Sequence, residues 1–328
     1  PIMNVGGMQL FQISNNDSSE KILPKSKEIA LRLIYIYLSL TLLCLITYKT
    51  FGMGFFDSLT HSMTTIATGG FSNYNESIGF FDSISIEISS IIFIISGSIP
   101  FIAYIKFING NKKIFIKDSQ IKFFFGVIIF SIIVLSAYLL LSKSDELNLR
   151  SIFFNVVSIL TGTGYVLGNY EIWPIFLQMI LLVLMFIGGM GGSTTGGMKV
   201  IRCMLLVKYA ALETRRMLHS RALIPVKIGK QLIKEDVVRN TLGFFLFFMS
   251  AFILSTILLS TMGLDLETSI GAAASAMGNI GPALGEFGPT DNYALLPNQG
   301  KWLLSFCMLL GRLEIFTVMV LFSRTYWK

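Results

Sequence analysis

Charge is what this sequence has least of. Across 328 residues only 14% are Asp, Glu, Lys or Arg, while 53% are hydrophobic. Soluble domains carry about 25% charged residues, so a mean hydropathy of +0.69 points to a polytopic membrane protein. Cysteine and histidine are scarce too. Cys44, Cys203 and Cys307 lie in or beside apolar runs, at spacings that suit neither a disulfide framework nor a zinc site. His61 falls in a short apolar segment and His219 in a basic stretch. Neither sits in a catalytic or metal-binding pattern, so both read as structural. With no nucleophile, base and orienter in view, the chain does not read as an enzyme.

What charge there is has been sorted by position. The net charge is +7, but most cationic residues fall into four clusters. One holds Lys21, Lys25, Lys27 and Arg32, and another Lys106, Lys112, Lys113, Lys117 and Lys122. A third runs from Lys199 to Arg239, and the last holds Arg324 and Lys328. The positive-inside rule makes these regions cytoplasmic, which disfavours nucleic acid as the partner of the basic charge. Acids gather between them: Asp57, Glu76, Asp82, Asp145, Glu146, Glu171, Asp265, Glu267, Glu286 and Asp291.

Both ends of each intervening stretch are therefore inside, so each stretch crosses the bilayer an even number of times. First spans are expected at 29–48, 121–142 and 237–262, and second spans at 83–108, 172–208 and 300–323. About 20 helical residues cover the ~30 Å hydrocarbon core, so six spans are expected. Between the spans of each unit sits a shorter apolar segment: FFDSLTHSMTTIA, LRSIFFNVVSIL or LETSIGAAASAM. Segments of about 12 residues are too short to cross and read as re-entrant half-helices entering from outside.

Each half-helix runs into a polar, glycine-bearing stretch: TGGFSNYN, TGTGYVLGNY or NIGPALGEFGP. Irregular backbone at membrane depth is tolerated only where protein buries it or where it lines an aqueous cavity. Glycine supplies the dihedrals such a backbone needs, and exposed carbonyls replace a cation's water. The partially negative C-terminal end of the half-helix favours a cation as well. Aligning TGGF, GTGY and NIGP brings Gly70, Gly164 and Gly281 to one place. The candidate ion-binding residues are Thr68, Gly69 and Gly70; Gly162, Thr163 and Gly164; and Asn279, Ile280 and Gly281.

The run GGMGGSTTGGMKVIR, residues 188–202, interrupts the second span of the middle unit. It lacks the Lys-Ser/Thr ending and the preceding strand of a phosphate loop. Gly188, Gly192 and Gly196 at helical spacing also fit a close helix contact, but so many glycines make a poor helix. A broken helix is expected, with Ser193, Thr194 and Thr195 as its polar face. Arg312 lies well inside the last span, where an arginine costs ~2.5–3.5 kcal/mol, and must face protein or water. Glu314 points to a different face, and the partner of Glu87 is not legible.

These strings resemble the Trk, Ktr and HKT superfamily of potassium transporters, and within it the TrkH type. The match rests on the three filter strings, on GGMGGSTTGGMKVIR and on LLGRLEIFTV, residues 309–318. The resemblance implies an all-α membrane protein in which span, pore helix, filter loop and span repeat in pseudo-fourfold arrangement around one pore. It implies K+ held at the filter glycines, with no covalently bound cofactor. A gate is implied at Gly191, Gly192, Ser193, Thr194, Thr195, Gly196, Lys199 and Arg312. It further implies a homodimer in a bacterial inner membrane, docked on cytosolic nucleotide-binding TrkA-type subunits.

In that scheme residues 1–28 are the end of repeat 1 and a linker, and 29–110 are repeat 2. Residues 111–208 are repeat 3 with its glycine loop at 188–197, 209–236 a basic cytoplasmic linker against lipid or a partner, and 237–328 repeat 4. The opening PIMNVGGMQLFQ reads as a helix tail, so the first filter is expected upstream. Sodium permeation of the HKT kind remains open, as does an ion-coupled secondary transporter. The latter is disfavoured by parallel repeats and by few acids at mid-depth.

Overall fold

The computed structural model describes residues 26–142, 148–218, 225–229, 231–313, 315–321 and 326–327. The opening twelve residues, Lys21, Lys25, Asp145, Glu146, His219, Glu314, Arg324 and Lys328 lie outside them. In chain order the helices are α1 (Ser26–Thr50), α2 (Phe55–Ile66), α3 (Ile84–Ser98), α4 (Phe101–Ile108), α5 (Ile114–Lys117), α6 (Ser119–Ser142) and α7 (Leu149–Leu160). Then come α8 (Ile175–Ile187), α9 (Val200–Leu218), α10 (Glu235–Thr261), α11 (Leu266–Gly278), α12 (Asn298–Leu313) and α13 (Ile315–Leu321). One short antiparallel pair, β1 (Lys227–Ile228) and β2 (Gln231–Leu232), sits between α9 and α10.

Among the described residues three helices are long and apolar enough to cross a membrane, at Ile29–Thr50, Ser119–Leu141 and Glu235–Thr261. They are the three first spans. Their apolar side chains point outward: Leu38, Leu42, Phe130 and Leu246 are all exposed, as lipid-facing residues must be. Glu235 and Asp236 in the first turn of α10 complement its positive end.

The second span of the first unit departs from expectation, since it is not a single helix. In the first unit α3 and α4 meet at an 89° bend. Pro100 causes it: proline has no N–H to donate and clashes with a helical residue before it, and Ile99 is accordingly extended at φ −81°, ψ 141°. In the middle unit α8 stops at Ile187 and helix resumes only at Val200. In the last unit α12, to Leu313, and α13, from Ile315, lie on either side of Glu314, which is outside the described residues. Helix α9 runs on past residue 208 to Leu218, into the stretch read as the basic linker.

The half-helices α2, α7 and α11 form the centre. Nearly all of α11 from Thr268 to Gly278 is buried, as is α7 from Phe154 to Leu160. Each packs on the first span of its own unit, α2 on α1, α7 on α6 and α11 on α10. Units also interlock in sequence: α7 packs on α3 of the unit before, and α11 on α8. Repeating one contact between successive units turns them about a common axis.

A buried ion pair reinforces the first of these joints. Glu87 on α3, its side chain 3% exposed, takes a bidentate contact from the guanidinium of Arg150 at the start of α7. Asp82 stands 3.6 Å from the same guanidinium. Removing one partner of a buried pair costs about 3–5 kcal/mol, and the remaining Asp82 puts Glu87→Ala at the low end. Thermal unfolding in detergent should register that loss, and Glu87→Leu combined with Arg150→Met should recover most of it. Equal stability of Glu87→Ala and wild type would make the joint dispensable.

Candidate functional site

The three loops below the outer face share one backbone pattern. Left-handed residues recur two apart: Thr68 (φ 49°) and Gly70 (φ 65°), Gly162 (φ 67°) and Gly164 (φ 83°), Asn279 (φ 56°) and Gly281 (φ 113°). The intervening residues, Gly69, Thr163 and Ile280, are absent from the left-handed set. In a strand successive carbonyls point to opposite sides, whereas alternating handedness lets neighbouring carbonyls share one. Glycine reaches such dihedrals without the steric cost other residues meet.

The loops also touch in one rotational sense. A Cβ on Gly70 would lie 1.9 Å from the carbonyl oxygen of Thr163, and a Cβ on Gly164 would lie 1.8 Å from that of Ile280. The carbonyl of each loop's middle residue thus abuts the Cα of the preceding loop's glycine. Gly281 has nothing within 4 Å of such a Cβ, and its carbonyl accepts from the Tyr293 hydroxyl at 2.9 Å.

Sequence reasoning missed the residues that hold these loops. Thr64, Ser158 and Ser275 each precede the aligned glycine by the same interval. Their carbonyls accept from Gly69 N–H at 2.7 Å, Thr163 N–H at 2.9 Å and Ile280 N–H at 3.0 Å. Their hydroxyls act too. Thr64 Oγ1 donates to the Phe71 carbonyl at 2.9 Å, Ser158 Oγ to that of Tyr165 at 2.6 Å, and Ser275 Oγ accepts from Gly281 N–H at 3.1 Å. The signal was a hydroxyl residue at a constant offset in three strings, visible only by aligning upstream of the glycine.

Behind the middle loop, Tyr165 is fully buried. Its hydroxyl lies 2.6 Å from Thr64 Oγ1 and donates to the His61 carbonyl at 3.1 Å. His61 bonds the Asp57 carbonyl through Nδ1 at 2.8 Å and Ser72 Oγ through Nε2 at 3.0 Å. Tyr165 therefore anchors one loop to the half-helix of the neighbouring unit. At the outer surface burial raises the carboxyl of Glu171, and Asp291 and Glu267 add to this, while an Asn169 hydrogen bond opposes it. Its ionised form is the costly one at neutral pH, and protonation relieves that cost as pH falls through the raised value.

The glycine loop, residues 188–199, lies against the inner ends of all three half-helices. Thr194 Oγ1 lies 2.9 Å from the Ile66 carbonyl, which ends α2, and 3.1 Å from that of Gly97. Thr68 Oγ1 donates to Thr194 Oγ1 at 3.2 Å. Gly196 packs so tightly on the last residue of α11 that a Cβ would lie 2.7 Å from the Gly278 carbonyl, and Gly162 beyond α7 is 3.9 Å from Gly196 N by the same measure. Around this core Gly191 N–H donates to Gln120 Oε1 at 3.3 Å and Gly192 O accepts from Phe101 N–H at 3.1 Å. Ser193 Oγ contacts Thr195 Oγ1 at 2.7 Å. Lys199 closes the loop with φ 71°, and beyond it buried Arg202 stacks on the Phe244 ring at 4.0 Å.

Arg312 occupies the last turn of α12 and is exposed. Its neighbour Gly311 fixes the depth, since a Cβ there would lie 2.1 Å from the Met277 carbonyl. Asn279 Nδ2 donates to the Met308 carbonyl at 3.1 Å. The structure thus sets the arginine one residue from the point where α12 meets the end of α11. Among the described residues no group of three or more His, Cys, Asp or Glu side chains could hold a metal ion.

Known proteins resemble this chain over nearly its whole length. A family model described as TrkH, cation transport protein, matches residues 2–328. The chain belongs to the TrkH family. Trk system potassium uptake protein TrkI of Halomonas elongata is 35% identical over 334 residues, covering 100% of this chain and 67% of that protein. TrkH of Escherichia coli K12 is also 35% identical, with 100% and 69% covered. The crystal structure of the potassium transporter TrkH from Vibrio parahaemolyticus superposes with a TM-score of 0.86 at 36% identity, covering 93% of this chain and 66% of that one. The chain thus spans about two thirds of the length of these TrkH-family relatives. Like them it is a helical, multi-pass inner-membrane protein built of repeated units.

Proposed function

We propose that the protein containing this chain carries potassium into the cell through a pore lined by filter loops, one from each repeat. The observation that carries this reading is the repeated pair of left-handed residues, with the carbonyl of one loop seated on the glycine of the loop before. Partly dehydrated cations bind where backbone carbonyls replace water. The relatives' names, potassium uptake proteins of Trk systems, supply the choice of ion. Residues 68–70, 162–164 and 279–281 are the filter, with K+ as substrate.

Residues 191–196, with Lys199 and Arg312, form the gate. A loop pressed on the inner ends of three half-helices obstructs the route beneath the filter, and a fixed positive charge there repels cations. The word "system" in the relatives' names supports further subunits. We assign that role to nucleotide-binding TrkA-type proteins on the cytoplasmic side of a homodimer. The chain acts as a transport pathway, not as an enzyme.

The test is rubidium uptake into liposomes holding the whole protein, with potassium or sodium as competitor. Competition by potassium alone is expected. Equal competition by sodium would assign the pathway to sodium-permeant transport, and uptake that requires a proton or sodium gradient would assign it to coupled transport. Arg312→Ala should raise uptake in the absence of regulators by up to about tenfold, the equivalent of ~1.4 kcal/mol. Lower uptake with a misassembled protein would make Arg312 a structural residue.

A further inference from the structure

A groove of about 890 Å³ runs along the outer surface of the middle unit between α6, α8 and α9. Its volume lies within the ~300–1,000 Å³ usual for small-molecule sites. One face of α6 lines it from Ser119 to Val134, about 22 Å at 1.5 Å per residue and so longer than one leaflet of a ~30 Å core. The wall is apolar along almost all of this length, with Phe130, Phe176 and Val183 among its residues. Its two cationic residues, Lys122 and Lys208, belong to the cytoplasmic end. Both are exposed. Lys208 is held there by donating to the Lys227 carbonyl of the small hairpin at 3.1 Å.

A long apolar trough with positive charge at only one end has the polarity of a phospholipid, and the sign of an anionic one. A second copy of the chain fits poorly. A twofold axis in a membrane runs along its normal, so a symmetric contact here would set Lys122 and Lys208 at the depth of the same lysines in the other copy. We propose that the groove is a binding site for one anionic diacyl phospholipid of the cytoplasmic leaflet. Its acyl chains lie along Gly126 and Val183, and its phosphate between Lys122 and Lys208. The groove touches the chain on either side of the glycine loop in sequence, at Ile187 before it and Met204 after it. The assignment concerns binding and stands whether or not that loop gates.

Native mass spectrometry of the whole protein, released from nanodiscs of mixed phosphatidylglycerol and phosphatidylcholine, tests it. One tightly held phosphatidylglycerol is expected. Juxtamembrane charges contribute ~1 kcal/mol each, about fivefold, so Lys122→Gln and Lys208→Gln should each lower the preference for phosphatidylglycerol by about that factor. At Gly126 a Cβ meets nothing within 4 Å, so Gly126→Trp fills the groove without repacking the core and should abolish retention with both lysines intact. Equal retention of the two lipids by wild type would overturn the assignment. So would displacement of the lipid by inorganic phosphate, which would leave an anion site without a groove. A Gly126→Trp protein that keeps its lipid but changes its oligomeric state would give the groove to a second copy instead.

Discussion

Gly164→Ala is expected to lower selective rubidium or potassium flux on the order of 100-fold. Two penalties act together. A left-handed alanine costs ~1–2 kcal/mol, and the methyl group would sit 1.8 Å from the Ile280 carbonyl, an overlap of the kind that costs ~1–3 kcal/mol in packed interiors. Neither partner can yield cheaply, because Ile280 N–H is tied to Ser275 at 3.0 Å and Thr163 N–H to Ser158 at 2.9 Å. The overlap therefore displaces a carbonyl of the proposed filter. Gly168→Ala is the control, with the same left-handed strain at φ 72° and nothing within 4 Å. It should lose stability and keep its selectivity. Wild-type flux and ion preference in Gly164→Ala would remove these loops from the ion pathway.

Thr194→Val should raise basal flux between about fivefold and 100-fold. Valine keeps the shape but removes the hydroxyl shared by the Ile66 and Gly97 carbonyls and by Thr68. A buried acceptor left without its donor costs ~1–3 kcal/mol. The cost falls only on the state in which the loop is seated, so the equilibrium moves toward the unseated state by the corresponding factor. Flux into liposomes without regulatory subunits is the readout. If flux is unchanged in a well-folded protein, the loop is a scaffold and the gate lies elsewhere.

Much of this architecture was legible because it is repeated. A lone Thr-Gly string says little, but a polar, glycine-bearing string after each of three short apolar segments points to both the half-helices and the alignment of the glycines. Hydropathy served less well at helix ends. It marks where the membrane stops and not where a helix does, so the run of α9 through Arg215 and Arg216 to Leu218 was not legible from it. The 89° bend had its signal in Pro100, which the apolar run around it concealed. The partner of Glu87 could not be read at all, since Arg150 is distant in sequence and the two meet only when successive units pack. Thr64, Ser158 and Ser275 were visible, but hydroxyl residues are common in helices, and only the structure shows what these three hold.

The seating of each middle carbonyl on the glycine of the preceding loop bears on how chimaeras of this protein must be built. The contact is handed: loop 162–164 presses on loop 68–70, and loop 279–281 on loop 162–164. A loop transplanted from a relative keeps its own half-helix and its own hydroxyl anchor, yet lands its carbonyl on a glycine that belongs to the recipient. The smallest exchangeable cassette that carries such a contact intact is therefore a loop together with the one before it.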